Sequence, residues 1–420
     1  MRIAIVGTGV AGLVAAHLLG HRHDVTVFEA DSRPGGHANT VRVEVDGRTH
    51  DVDTGFLVYN DRNYPGLVRL FDRLGVTTKP SDMSFSVSDQ TSGIEWRGTS
   101  PSTVLAQRRN AVRPAFLRML ADVVRFNRTA RALLADGTDA RSLDELLAQG
   151  TWSRGFIEWY LLPMGSSIWS ADPSTFLDIP AATFARFFDN HGLLSLGDQP
   201  AWRTVEGGSR HYVDAVLAPL GRRVRLATPV SKVTRLAEGT AWSGVEVLTG
   251  NGPEHFDHVV LACHSDQALE LLSDPSDLER EVLGAIRYQP NLATLHTDER
   301  LLPRNRRAWA SWNYHRLEDQ PHRATLTYRL RSLQGVDASR ELLVTLNRDE
   351  DIAPDAVLGR FAYAHPIFDR AAVAAQRRYD DLVGERRRTW FCGAYWGYGF
   401  HEDGVVSGVR VARALGGDPL

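Results

Sequence analysis

Along the chain, apolar positions switch between the period of a strand and the period of a helix. Residues 2–6 (Arg-Ile-Ala-Ile-Val) form a short apolar run of strand length. Gly7-Thr8-Gly9-Val10-Ala11-Gly12 follows, and Leu13 to Leu19 continues with helical spacing. Asp24 to Phe28 is a second strand-like run that ends at Glu29. Residues 39–52 are strand-like again, and 61–200 is mostly helical in pattern. Strand patterns return at Arg223–Leu226, Val230–Arg235, Gly244–Leu248 and His258–Ala262. Five spaced runs then predict an antiparallel sheet: Leu292–His296, Ala308–Trp312, Ala324–Tyr328, Leu342–Leu346 and Arg360–Ala364. Phe391 to Tyr395 predicts a last strand, and Val405 to Leu415 a last helix. No internal repeat or flexible linker stands out.

Composition narrows the class. The 420 residues allow two or three domains. With 43% apolar and 24% charged residues the chain is globular, and a net charge of −3 gives no general attraction to nucleic acid. No run reaches the 18 or so apolar residues of a membrane span. The opening strand and glycine turn do not resemble a secretory signal. Cys263 and Cys392 are too few for a disulfide framework or a zinc site, so no metal is expected and a reducing, cytoplasmic setting fits. Lys79 and Lys232 are the only lysines.

The first forty residues carry a specific chemistry. Gly7 permits a tight turn, Gly9 lets backbone approach a pyrophosphate, and Gly12 lets helix and strand pack closely. The helix that begins near Val10 and Ala11 turns its free N–H groups and positive dipole toward phosphate. Glu29, followed by Ala30, stands where an acid binds a ribose diol. Arg33-Pro34-Gly35-Gly36-His37 adds a second glycine turn that can pass close to a ligand. Near the other end, Gly393 precedes Trp396-Gly397-Tyr398-Gly399-Phe400, and Gly404-Val405 opens a helix. That segment is another site for an electron-rich group.

These motifs together resemble the flavin-containing amine oxidase superfamily, which includes protoporphyrinogen oxidases and phytoene desaturases. The resemblance runs end to end, through Val205-Glu206-Gly207-Gly208 and Val259-Val260-Leu261-Ala262. Four further stretches resemble bacterial flavoproteins associated with cyclopropane-fatty-acyl-phospholipid synthases. They are Gly36–Thr40, Asp53–Asn60, Ser81–Ser86 and Trp312–Arg316. The resemblance implies an α/β fold: a Rossmann-type, glutathione-reductase-like FAD domain with a discontinuous α+β substrate domain. The FAD domain would comprise 1–60, 205–289 and 376–420, and the substrate domain 61–204 and 290–375. It implies FAD held non-covalently, since no cysteine occupies the terminal flavin loop.

The implied cofactor contacts are Gly7, Gly9, Val10, Ala11, Gly12, Glu29, Ala30, Arg33, Gly35, Gly36, His37, Gly55, Phe56, Val230, Gly393, Gly404 and Val405. Tyr59, Asn60, Trp396 and Tyr398 are expected on the substrate cavity wall, the last two as an aromatic pair before the flavin. Many amine oxidases keep a lysine near the flavin, and neither lysine here lies at the matching place. Dehydrogenation or desaturation of an apolar, acyl-lipid-like substrate is therefore the expected activity. The alternatives are a flavin-dependent double-bond isomerase, an amine oxidase, or a non-catalytic flavoprotein partner of a lipid-modifying enzyme such as a lipid methyltransferase or cyclopropane synthase. His315 and His365 are candidate acid–base groups, or structural histidines.

Residues 112–134 alternate apolar side chains with arginines. Such a pattern marks either a covering helix with a solvated arginine face or a peripheral contact with anionic lipid. Trp152, Phe156, Trp159 and Tyr160 would suit a nearby interface.

Overall fold

The computed structural model describes residues 1–136, 141–195, 197, 199–236, 243–384 and 387–420. Five short strands pair in parallel in the order Val224–Arg225, Asp24–Phe28, Arg2–Val6, His258–Leu261, Thr389–Phe391. The three central strands are rich in fully buried Val, Ile and Leu, as expected of a sheet covered on both faces. The helix Val10–Leu19 lies on one face and is itself covered by the last helix, His401–Ala414. A Cβ on Gly12 would stand 2.1 Å from the Gly7 carbonyl oxygen, so only glycine lets the first helix sit this close to its strand. Gly404 and Val405 serve the same packing. A Cβ on Gly404 would meet Val10 at 2.5 Å, and Val405 is wholly buried. They do not line the cavity, contrary to the expectation from sequence. The loop turns before them, so the cavity receives Phe400 and His401 instead.

A second sheet has seven strands, in the order Val357–Pro366, Tyr288–His296, Leu343–Leu346, Leu326–Arg329, Trp312–Arg316, Phe85–Asp89, Ile94–Arg97. It departs from the expected antiparallel sheet in two ways. The strands Phe85–Asp89 and Trp312–Arg316 pair in parallel, which brings part of the otherwise helical 61–200 segment into the sheet. The run Ala308–Trp312 is not a strand: Asn305 accepts from the Arg307 N–H at 3.0 Å and caps a 3-10 turn over Arg306–Ala308. Helices cover this sheet. The longest, Pro114–Asp136, packs through Phe116 and Phe126 against Phe156, Phe184 and Phe188.

The aromatic residues 152–160 are core, not surface. Phe156, Trp159 and Tyr160 are buried, and the Trp159 indole donates to Asp89 at 2.9 Å. Trp152 is held under the Arg125 guanidinium, 4.1 Å from its ring. The Trp159 indole finds a polar partner inside and Trp152 a cation over its face, so their interfacial appearance in sequence did not decide their place.

Asp53 joins the lobes. This buried carboxylate accepts from the Ser209 N–H and hydroxyl, from the Thr40 hydroxyl and from the Gln334 amide. Burial raises its pKa, and those four donors oppose the rise. One side chain thus ties the end of a hairpin (Arg48–Asp53), the start of the helix Arg210–Leu217 and the helix Leu330–Gln334.

Candidate active site

A continuous cavity of about 1390 Å³ runs from the C-terminal edge of the parallel sheet to the underside of the seven-stranded sheet. At the sheet end it is lined by Gly7, Gly9, Val10, Ala11, Glu29, Ala30, Arg33, Gly35, Gly36 and Val230. Gly36 has a φ of +58°, and a Cβ there would stand 3.2 Å from the Gly9 Cα, so the two glycine turns meet. A Cβ on Gly9 would meet no protein atom within 4 Å. Gly9 is therefore bare toward the cavity, as close approach of a pyrophosphate requires. Arg33 bridges the turn by donating to the Gly36 carbonyl at 3.0 Å.

Thr8 was not singled out by its pattern, yet it holds this end together. Its hydroxyl donates to Glu29 and accepts from the Gly35 N–H at 3.1 Å, while its own N–H reaches Glu29 at 2.9 Å. The strand end, the first turn and the double-glycine turn are thereby fixed to one another.

The waist of the cavity is built from His37, Gly55, Phe56, Tyr363, His365, Gly393 and His401. His37 stacks on Tyr363, with centroids 4.8 Å apart, and stands edge-on to His365 at 5.1 Å. Its Nε2 is buried without a hydrogen-bond partner, and burial holds its pKa well below the ordinary histidine value. His401 stacks on Phe56 at 3.6 Å and begins the last helix, whose dipole faces the waist. Asp403, in that first turn, accepts from the Phe400 N–H at 2.9 Å. Burial pushes its pKa up to about 6.

Two cavity histidines are fixed in opposite tautomers. His365 Nδ1 accepts from the Asn291 amide at 2.9 Å, and Asn291 is oriented in turn by Asn347. The His365 proton therefore sits on Nε2. His191 Nδ1 donates to the Phe187 carbonyl at 2.9 Å, which leaves Nε2 as a lone pair. Burial lowers both pKa values to about 4, so both rings are neutral near pH 7. His315 lies elsewhere, inside the seven-stranded sheet, and is structural.

The far end is apolar. Met83, Met119 and Met164, three of the chain's four methionines, line it with Phe85, Trp96 and Trp202. Among the described residues, every Asp, Glu, Lys or Arg on the cavity lining lies at the sheet end: Glu29, Asp31, Arg33, Asp266 and Glu270. Neither lysine reaches the cavity.

Of the expected wall residues, Tyr398 lines the cavity and the other three do not. Trp396 points the other way, into the core against Tyr379 and Tyr395, because the 3-10 turn Ala394–Trp396 rotates it under the sheet. Phe400, which follows the next glycine, takes the expected position and stacks on Phe187 at 5.2 Å. Tyr59 packs against Tyr64 and Phe71, and Asn60 accepts from the Asn63 N–H at 2.8 Å. Both are buried by pairing of Tyr59–Asn60 with the strand Trp202–Val205. Cys392 is a buried free thiol, and Cys263 lies at the sheet end, away from the terminal loop.

The model of the family described as flavin containing amine oxidoreductase matches residues 10–342. AofH of Mycobacterium tuberculosis, whose name assigns it to the flavin-containing monoamine oxidases, is 27% identical over 288 residues. That match covers 65% of this chain and 59% of AofH, so the chain spans about three fifths of that relative's length. Cyclohexylamine oxidase from Brevibacterium oxydans superposes with a TM-score of 0.69 at 16% identity, covering 99% and 98% of the two chains. The fatty acid isomerase of P. acnes that produces CLA gives 0.67 at 18% identity, with 98% of each chain covered. These similarities establish the fold.

Proposed function

The chain belongs to the flavin-containing amine oxidoreductase family, and from that premise we propose that it is an FAD-dependent oxidoreductase that dehydrogenates an apolar, acyl-chain-like substrate. FAD is the family's cofactor, and the residues at the sheet end and waist fit it: Gly9 is bare toward the cavity, Glu29 reaches the cavity wall, and the buried Nε2 of His37 has no protein partner. When bound, FAD accepts a hydride from a carbon of the substrate.

The observation that carries the substrate reading is the far end of the cavity. Three methionines and several aromatic rings line it, without a charged side chain among the described residues. An ammonium or carboxylate placed there would lose its water with no counter-charge, which costs several kcal/mol. Methionine adapts its shape to flexible apolar chains. His191 offers an unprotonated Nε2 to the second hydrogen as it leaves as a proton. His365 holds an N–H toward the waist, where it can orient a carbonyl or hydroxyl. Tyr398 and Phe400 exclude water.

The same two histidines favour a second reading. One accepts and the other donates, as a redox-neutral shift of a double bond needs. Anaerobic mixing of the flavin-loaded protein with unsaturated and saturated fatty acids separates the readings. Lasting loss of the flavin bands with an acyl chain supports dehydrogenation, and a transient loss with full return supports isomerisation. Faster bleaching by a primary alkylamine than by any acyl chain overturns both.

A further inference from the structure

We propose that the long helix Pro114–Asp136, with the turn Arg108–Val112 before it, docks this protein on an anionic lipid surface. Among the described residues seven large apolar side chains are exposed, and three of them lie within this segment. Val112 is 81% exposed, Leu117 47% and Val124 47%. Leu117 and Val124 are seven residues apart and so share one face of the helix. The adjoining face carries Met119, Leu120 and Val123 to the apolar end of the cavity. One helix therefore separates the cavity from the outside, and its outer face sets the apolar Leu117 and Val124 among exposed arginines, where an ordinary covering helix is polar throughout.

Charge complementarity selects the occupant. Residues 101–136 contain seven arginines and two acids, Asp122 and, at the far end of the helix, Asp136. Asp122 is buried and already paired with Arg118 and Arg125. Arg108, Arg109, Arg118 and Arg128 are exposed around the apolar residues. A distant loop adds to them: Arg307 donates to the Ser102 carbonyl at 3.1 Å and Asn305 to that of Ala106 at 2.8 Å, which seats the exposed Arg304, Arg306 and Arg307 beside the turn. Among the described residues, Glu299, half exposed beside Arg306, is the only acid in an ion pair with this loop's arginines. Apolar side chains ringed by arginines match inserted residues ringed by anionic headgroups. No helix among the described residues is long and apolar enough to cross a membrane, so the contact is peripheral.

Cosedimentation of the FAD-loaded protein with vesicles tests this, and because nothing turns over it stands apart from the substrate reading. Vesicles of equimolar phosphatidylcholine and phosphatidylglycerol should pellet the protein at low salt, and phosphatidylcholine alone should not. Binding should weaken as salt shortens the Debye length from about 10 Å at 0.1 M to about 3 Å at 1 M. Leu117→Asp with Val124→Asp should lower binding at least tenfold while flavin content and thermal unfolding stay unchanged, since both side chains are exposed. Equal, negligible binding to both vesicles overturns the proposal. So does an unaltered affinity of the double variant. A native dimer that the double variant makes monomeric assigns the face to a second copy of this chain and also overturns it.

Discussion

Asn291 donates its amide hydrogen to Nδ1 of His365 at 2.9 Å, so the imidazole presents N–H, not a lone pair, to the waist of the cavity. Asn291→Asp replaces that donor with an acceptor. Nδ1 then takes the proton, and the new charge raises the His365 pKa from about 4 toward or above the ordinary histidine value. Bound flavin reports on its surroundings through its absorption. Above the range in which Asp403 titrates, between pH 7 and 8.5, that absorption should stay constant in the native protein and acquire a titration in Asn291→Asp. A flat profile in both would show that His365 does not face the cofactor.

His191 is fixed the opposite way, by the Phe187 carbonyl. His191→Phe preserves its stack on Phe187 but removes the proton acceptor. Flavin reduction by the true substrate should slow by about 10²-fold or more, the range of a lost general base. Substrate binding should hardly change. A rate within a factor of two of the native protein refutes this role.

Gly9→Ala and Gly12→Ala separate ligand from fold. The Gly9 Cβ would enter open cavity, so the flavin-free variant should unfold at the native temperature while losing FAD affinity by about tenfold or more, equivalent to about 1.4 kcal/mol. The Gly12 Cβ would strike the Gly7 carbonyl, and overpacking of this kind costs about 1–3 kcal/mol. Calorimetry of the two apoproteins and an FAD titration by fluorescence check both statements.

Asp403 makes stability depend on pH. Its folded pKa of about 6 lies above the unfolded value of 3.8, so the folded state holds the proton more tightly. The stabilisation is complete below the unfolded value and is lost as pH rises through about 6. In Asp403→Asn that contribution disappears. The difference in Tm between native and variant should therefore change between pH 4 and 6.5 and level off above. A constant difference across the range would contradict it.

FAD should leave the protein freely. The terminal loop 393–400 has no cysteine, Cys392 is sealed in the core, and burial raises the Cys263 thiol to about 12. Acid precipitation should put all the yellow colour in the supernatant. Colour in the pellet would mean a covalent link.

Much of this was legible in the sequence because it rests on local rules. The first turn, the double glycine and the last helix each carry their signal within a dozen residues, and each stands at the cavity or behind it. What escaped depends on rotation or on distant partners. Trp396 and Phe400 are equally aromatic, and only a 3-10 turn decides which one faces the cavity. Tyr59 and Asn60 look like polar breaks in an apolar run until a strand from 202–205 covers them. His191 and His365 gain their roles from Phe187, one helical turn back, and from Asn291, on a neighbouring strand. The methionines at 83, 119 and 164 converge only once the fold is known. The parallel pairing of 85–89 with 312–316 spans more than two hundred residues and has no local signature.

The order of strands in the parallel sheet also governs how the molecule must be assembled. Its neighbours are drawn from residues 224, 24, 2, 258 and 389 onward, so no stretch shorter than 2–391 contains the whole sheet. Every pairing but that of Arg2–Val6 with Asp24–Phe28 closes a loop of well over a hundred residues, which makes assembly slow and dependent on distant contacts. Until the strand Thr389–Phe391 arrives, the strand His258–Leu261 is an unpaired apolar edge, the kind of edge that recruits other chains. Cofactor capture and release from that hazard therefore come together, late in folding, and a chain cut before 389 should be retained by chaperones or aggregate.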